Sequence, residues 1–379
     1  MSKIQEMIER MCPKGVKYKK IKDVFTRIKG TPITATLMKE IASEEGDVRI
    51  FAGGKTVIDT KRERIPNANI TTVPSLIVQS RGVIDFVFYD KPFTFKNEMW
   101  GYTHQEPICV KFLGYVLKNN VEYFRRKASE TGSLPQISLP VTEDYEIPVP
   151  PLEVQREIVK VLDNLSELGV VLNAELAARK KQFLWVQQQC FANKTFMFNR
   201  RIEDCCVLAK GATPIQKAIP GEYPLVVTTS TRRTSATYQF TEPTVCIPLV
   251  SSRGHGVASL NSVYYQEGEF ALGNILCGVT PKNHKELNAK YLYYYINYKK
   301  DSLIVPLMRG GANVSLTVDT LKKVGVSYPS IEEQSQVVSM LEPFDAFFDE
   351  VIGLPAEINA RQQQYEYYRD QLLTFKRAN

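Results

Sequence analysis

The sequence predicts an α+β chain built twice, a pseudo-twofold tandem repeat in which two strand-rich domains alternate with two long helical segments. Three observations lead there. The second half of the chain echoes the first at an offset of roughly 180 residues. Each copy opens with short β-branched and aromatic runs punctuated by Gly and Pro, which read as strands joined by turns. Each copy closes with a Pro-initiated stretch whose apolar residues recur three or four apart, which reads as amphipathic helix.

The first strand-rich domain takes residues 1–146, with its clearest strand signal from Ser75 to Tyr89 and a short helix expected from Val110 to Lys127. Residues 147–195 form the central helical region, whose stripe is Ile158, Leu162, Leu165, Leu172, Leu176, Phe183, Val186 and Cys190. Residues 196–330 form the second strand-rich domain, with strand signal from Pro243 to Ser252 and a helix expected from Leu287 to Lys300. In the C-terminal helical region, residues 331–379, Val338, Leu341, Phe344, Phe348 and Ile352 continue one stripe. Gly353-Leu354-Pro355 interrupts it, and a helix resumes from Ala356 to Phe375.

The repeat is anchored unevenly. Pro150, Glu153, Gln155, Val159 and Leu162 recur as Pro329, Glu332, Gln334, Val338 and Leu341. Upstream, Lys29-Gly30-Thr-Pro32 is echoed by Lys210-Gly211-Ala-Thr-Pro214, and Ser80-Arg81-Gly82 by Ser252-Arg253-Gly254, which predicts a common glycine turn. Between these anchors the copies diverge, as Asp47–Lys55 against Glu222–Ser230 shows.

At 379 residues the chain holds several cores, and 44% hydrophobic with 23% charged residues excludes a disordered or low-complexity class. No run of about 18 apolar residues exists and the N-terminus lacks a signal-peptide stretch, so a cytoplasmic protein with no membrane partner is expected. Seven cysteines without a Cys-x-x-Cys read as incidental or buried thiols rather than a disulfide framework or zinc site. The charge is placed unevenly: +5 in residues 1–146, +1 in 147–195, +6 in 196–330 and −5 in 331–379. Phosphate binding needs Lys and Arg, so this balance suits two DNA-binding domains joined by protein-facing helices.

Catalytic constellations are sparse. His284-Lys285-Glu286 has the spacing of the deaminase His-x-Glu without its downstream cysteines, and Ser252-Arg253-Gly254-His255-Gly256 is not a nucleophile elbow. Phe51-Ala52-Gly53-Gly54 partly resembles the S-adenosylmethionine loop of methyltransferases, but the Asn-Pro-Pro-Tyr that holds a flipped adenine is missing, as is a P-loop. No metal ligand set is read from the sequence.

The paired signatures, Pro150-Pro151-Leu-Glu-Val-Gln155 and Pro329-Ser-Ile-Glu-Glu-Gln334, together with Gly353-Leu-Pro-Ala-Glu-Ile358 and Tyr365-Glu-Tyr-Tyr368, resemble the specificity subunits of type I restriction-modification systems. The resemblance covers nearly the whole chain. It implies a non-catalytic reader of double-stranded DNA, with two target-recognition domains, each for one half of a split site. Two antiparallel helical segments would separate them, pairing as a coiled coil and docking modification (methyltransferase) subunits and, through them, restriction/translocase subunits. S-adenosylmethionine, ATP and Mg would sit on those partners, and this chain would hold no cofactor. Residues for helix pairing and partner docking are then Glu153, Gln155, Ile158, Leu162, Glu332, Gln334, Leu341, Arg361, Tyr365 and Tyr368. DNA contacts are expected from Lys55, Arg62, Arg64 and Gln79 in the first domain and Lys217, Arg232, Arg233 and Arg253 in the second.

Helix rise gives a ruler. At 1.5 Å per residue, Leu152 to Phe191 would span up to about 60 Å and Ala356 to Phe375 about 30 Å, against roughly 34 Å for a turn of B-DNA. Because the variable blocks differ, the two half-sites should differ too, giving an asymmetric target. The alternatives are a complete methyltransferase using Phe51–Gly54 and an interaction scaffold that binds no nucleic acid.

Overall fold

The computed structural model describes residues 2–128, 134–192, 196–229, 233–253 and 256–378. It divides into two compact units, Met1–Leu172 with Ile358–Asn379, and Asn173–Glu357.

The first unit begins with α1 (Ser2–Met11) and carries strands β1 (Tyr18–Lys20), β2 (Thr26–Lys29), β3 (Val48–Phe51), β4 (Val57–Thr60), β5 (Ser75–Gln79), β6 (Asp85–Tyr89), β7 (Phe93–Phe95) and β8 (Trp100–Thr103). Helices α2 (Pro107–Asn119) and α3 (Val121–Lys127) follow, then β9 (Glu146–Pro148) and the start of α4 (Leu152–Phe191). An antiparallel sheet runs β2-β8-β5-β6, a smaller one runs β4-β3-β7, and β1 pairs with β9. Strand β5 is buried along its whole length, and its alternation decides the layering. Leu76 and Val78 join the core beneath α2, with Val110, Leu113 and Leu117. Ile77 points the other way, into a cluster with Phe51, Phe93 and Phe95 that bonds the two sheets.

The second unit takes the rest of α4 and strands β10 (Phe198–Arg201), β11 (Cys206–Lys210), β12 (Tyr223–Val226), β13 (Arg233–Ser235), β14 (Thr244–Pro248), β15 (Tyr264–Gln266), β16 (Ala271–Leu272) and β17 (Leu276–Pro281). After them come α5 (Ala289–Leu303), β18 (Gly325–Tyr328), α6 (Ile331–Phe348) and α7 (Leu354–Leu372), most of which belongs to the first unit. Its sheets run β11-β17-β14-β15, β13-β12-β16 and β10-β18, repeating the first unit strand for strand. The alternation repeats as well: Val245 and Ile247 face the helices, and Cys246 faces Phe270 and Leu272.

Strand register makes the copies comparable residue by residue. Ile50 pairs with Ile58 and Thr94 as Leu225 pairs with Arg233 and Ala271. The strands within the two diverged stretches, Val48–Phe51 and Tyr223–Val226, are therefore the same element despite having almost no side chain in common. The Ser-Arg-Gly triplets are not the same element. Ile77 opposes Gly101 as Cys246 opposes Gly278, and the bridge Arg81–Gln136 matches Val250–Ser315. Val250 thus stands where Arg81 does, and Arg253 lies three residues further on, in a loop of its own.

Helices end where local chemistry ends them. In the second unit α6 opens on Ser330, whose hydroxyl accepts from the Glu333 N–H, and it stops at Phe348. The Asp349 carboxylate accepts from the N–H groups of Val351 and Ile352, at 2.7 and 3.0 Å, and so turns the chain. Ile352 is consequently 83% exposed and lies outside the stripe that the sequence extends to it. In this unit α4 and α6 pair antiparallel: Arg179 stacks on Phe347 at 4.6 Å, and Phe183 meets Phe344 and Phe348 at 5.4 Å each. In the first unit the beginning of α4 packs with the end of α7, where Leu372 and Leu373 join Ile158 and Leu162. All seven thiols are free and all but Cys12 are buried; burial pushes that of Cys277 up to about 11. Among the described residues, no helix is long and apolar enough to cross a membrane.

Candidate nucleic-acid interface

In each unit the strands gather a set of loops at one end. In the first, β2 ends at Lys29 opposite Trp100, β5 passes Trp100 at Val78, and β3 and β7 end side by side at Phe51 and Phe95. The loops there are 53–55, 80–82 and 96–98. A Cβ on Gly53 would stand 3.6 Å from the Arg81 carbonyl oxygen, and one on Gly82 3.6 Å from the Gly54 Cα, so the two glycine turns lie against each other. Gly82 has φ +79°, a conformation that favours glycine. Its N–H donates to Pro135 O at 2.8 Å, and the Ser80 hydroxyl donates to Glu98 O at 2.7 Å, so the turn is fixed from both sides. Phe51 itself is buried against Tyr89 and Phe93, and Phe51–Gly54 is a strand end running into a turn.

The predicted residues divide between the two ends. Gln79 is at the loop end but only 4% exposed, because it closes the buried strand β5. Lys55 lies in the 53–55 turn, and its side chain is outside the described residues. Arg62 and Arg64 are exposed but sit at the other end of the β3–β4 hairpin, where the Arg62 N–H donates to the Asp47 carboxylate at 3.0 Å. In the second unit Arg233, at the start of β13, and Arg253 are exposed at the loop end, and Lys217 is exposed in a one-turn segment Ile215–Lys217. Arg232 lies outside the described residues.

Two further pairs of positions belong to this end. Lys29 and Lys210 close the equivalent strands β2 and β11, and Arg81 and Arg309 border the equivalent bridges; all four are exposed. The repeated Lys-Gly pair was the available signal for the lysines. Among the described residues no carboxylate pairs with Lys29, Arg81, Lys210, Arg233 or Arg253. Arg49 shows the contrast: two 2.8 Å hydrogen bonds to Asp59 and the Tyr89 ring at 5.5 Å bind it into the fold. The hydrogen-bonded Arg49 guanidinium holds the Asp59 carboxyl below its ordinary range.

The helical residues have structural work. Gln155 and Gln334 are buried, and each amide folds back onto the proline that precedes its helix, donating to Pro150 O at 2.8 Å and Pro329 O at 2.9 Å. Gln334 also donates to Glu286 O and accepts from the Asn288 N–H, tying α6 to the start of α5. Ile158, Leu162 and Leu341 are fully buried in the cores of their units, so helix pairing is only part of what they do. Glu153 and Glu332 are exposed in first helical turns, where a carboxylate suits the helix N-terminus. Arg361 is half-buried and donates to the Gln364 amide at 3.0 Å, and Tyr365 and Tyr368 lean on the first unit's core. His284 faces Glu242 at 3.4 Å on the surface. Among the described residues no three His, Cys, Asp or Glu side chains are placed to hold a metal ion.

The fold recurs in known proteins. The model of the type I restriction modification DNA specificity domain matches residues 13–179 and again residues 193–360. The EcoR124I/EcoR124II type I restriction enzyme specificity subunit of Escherichia coli is 29% identical over 244 residues, which is 59% of this chain and 60% of that subunit's length. A Mycoplasma pneumoniae protein named as a type I specificity subunit, S.MpnORF89P, is 27% identical over 296 residues, covering 70% of this chain and 82% of the relative. The crystal structure of a type I restriction-modification S subunit from M. genitalium superposes with a TM-score of 0.72 at 16% identity, covering 95% of this chain and 96% of that one, a likeness of fold. With both of its structural repeats matched in turn by one family model, the chain belongs to the type I restriction-modification DNA specificity family.

Proposed function

We propose that this chain is the non-catalytic, DNA-reading subunit of a type I restriction-modification complex, acting on a bipartite, asymmetric duplex target in the cytoplasm. Each unit reads one half-site through its loop end, where Lys29, Lys55 and Arg81 in the first unit and Lys210, Arg233 and Arg253 in the second meet phosphates and base edges. The helical segments dock modification subunits and, through them, restriction subunits. S-adenosylmethionine, ATP and Mg are held by those partners, and this chain supplies specificity alone.

One observation carries the reading. The two units share every strand pairing, while the loops at one end of each differ in length and sequence and expose basic residues that no described carboxylate neutralises. Phosphates can satisfy such charges, and differing loops can read different bases. Methylome sequencing of cells with and without the gene for this chain tests it. The expected result is one bipartite methylated motif that disappears with the chain; an unchanged methylome where the modification subunits are produced would refute it.

A further inference from the structure

One side-chain arrangement recurs in both units and is complete in only one of them. In the first, the Lys111 ammonium and the Tyr115 hydroxyl of α2 both donate to the Asp163 carboxylate of α4 at 2.7 Å, and Lys111 stands 5.4 Å from the centre of the Phe88 ring. In the second, Lys290 of α5 donates to Glu342 at 2.8 Å and pairs with Asp345 at 3.2 Å, both on α6. The Tyr294 hydroxyl donates to Asp345 at 2.7 Å, and Lys290 stands 5.4 Å from the centre of the Tyr265 ring. Phe88 and Tyr265 are themselves equivalent, since they follow Val87 and Tyr264, which oppose the equivalent Ile77 and Cys246. Lys111 therefore matches Lys290 and Tyr115 matches Tyr294, at the same offset that joins Leu162 to Leu341.

The alignment exposes two side chains that the first unit lacks. Tyr293 is half-buried, with its ring centre 5.0 Å from that of Tyr294 and 6.0 Å from that of Tyr265, and its counterpart is Gly114. Asp345 has Ser166 as its counterpart. What remains in the first unit is a cavity of about 290 Å³. Phe88 and Tyr115, the equivalents of the two rings that flank Tyr293, both line it, with Leu76, Gly114 and Tyr365. The charge is inverted as well. Lys111 and Lys118 face Asp163 and Ser166 here, whereas Lys290 and Asn297 face Glu342 and Asp345 in the second unit. Lys118 is exposed, and among the described residues no carboxylate pairs with it.

We infer that this cavity is a binding site for a small aromatic carboxylate, whose ring takes the space that the Tyr293 side chain fills in the other unit and whose acid group meets Lys118. The ring would bury apolar surface against Leu76, Phe88 and Tyr365, and the acid would supply the negative charge that Ser166 does not. Small-molecule sites run from roughly 300 to 1,000 Å³, so this cavity suits a single ring. A molecule held there would tie α2 to α4 and α7 and stabilise the first unit by mass action. The inference is independent of the DNA-reading function.

The test uses the full chain and 4-hydroxybenzoate as probe, with phenol and acetate as controls that carry one half of its chemistry each. Calorimetric titration and thermal unfolding should show binding at about 1 mM or tighter and a raised Tm for 4-hydroxybenzoate, with weaker effects from either control. Gly114→Tyr should abolish binding by refilling the cavity; its Cβ would stand 3.2 Å from the Leu76 Cδ1, a side-chain end that can shift. Lys118→Ala should weaken the acid about fivefold, and Ser166→Asp, which restores the second unit's carboxylate, should weaken it while sparing phenol. These two variants decide the matter even if Gly114→Tyr fails to fold. No binding of 4-hydroxybenzoate to the wild-type chain, equal binding of phenol, or binding unchanged in the Lys118 and Ser166 variants would each overturn the inference. Binding that vanishes when modification subunits are added would assign the cavity to a side chain of those subunits and overturn it too.

Discussion

Gly211 rests on the backbone of Gly273 with no space for a side chain between them: a Cβ there would lie 2.6 Å from both the Gly273 carbonyl carbon and the Leu272 carbonyl oxygen. Gly30 meets the equivalent backbone in the first unit, where a Cβ would stand 2.8 Å from Lys96 O. This close approach explains why the Lys-Gly pair is among the few matches that survive between otherwise diverged blocks. Gly211→Ala and Gly30→Ala should each cost about 1–3 kcal/mol through overpacking. Urea unfolding measures it, and midpoints equal to wild type would show that the strands can part without penalty.

Thr142 should matter to the first unit for a different reason. Its hydroxyl oxygen receives the Trp100 indole N–H at 2.9 Å and lies 2.6 Å from the Tyr102 hydroxyl, all of it buried. Thr142→Val should therefore cost about 1–3 kcal/mol by leaving polar groups unpaired, while Thr142→Ser should retain most of the stability. In the second unit the register places buried Cys277 and Val279 at the positions of Trp100 and Tyr102, an apolar solution to the same packing. Equal thermal stability of the Val and Ser variants would contradict the account.

Alkaline pH should destabilise the chain through its buried tyrosines. Burial pushes the Tyr102 phenol up to about 12 from an ordinary value of 10. A group whose folded value is raised contributes stability that is intact below pH 10 and lost as pH rises through 12, by at most about 2–3 kcal/mol for this shift. Tyr102→Phe should flatten part of that loss, read as the difference in unfolding free energy between pH 9 and pH 11. A Phe variant as alkali-sensitive as wild type would assign the effect to other groups.

Much of the fold was legible because the repeat was. Element order, the strand-rich blocks, the long central helix and the break at Gly353 follow from periodicity and punctuation. The place where α6 ends did not, because Ile352 continues the apolar spacing while Asp349 captures the backbone beyond Phe348. The site was legible in composition and poorly in position. A basic excess is a property of a block, whereas the choice between Arg62 at one end of a hairpin and Arg233 near the other depends on strand register. Three-residue matches misled for the same reason: Ser-Arg-Gly recurs, but the hydrogen bonds place Val250, not Arg253, at the position of Arg81. Gln79 reads as a loop amide until β5 is known to be buried throughout.

Charge removal should distinguish the two ends. In the assembled complex Arg233→Ala should reduce affinity for target duplex severalfold and lower the salt slope by about one. Arg62→Ala and Arg64→Ala, at the opposite end of the first unit's hairpin, should leave both unchanged. Binding measured from low to physiological salt decides it, and a loss confined to the Arg62 and Arg64 variants would move the interface to the other end.

The most direct measurement is methylation mapping of a chimera in which residues 1–146 are replaced by the corresponding block of a relative with another specificity. Each unit has its own sheets, core and loop end, so each should dictate its own half of the target. The account predicts that one half-site takes the donor's sequence and the other stays as it was. Alteration of both half-sites by the single exchange would contradict it, since the two units would then form one continuous reading surface.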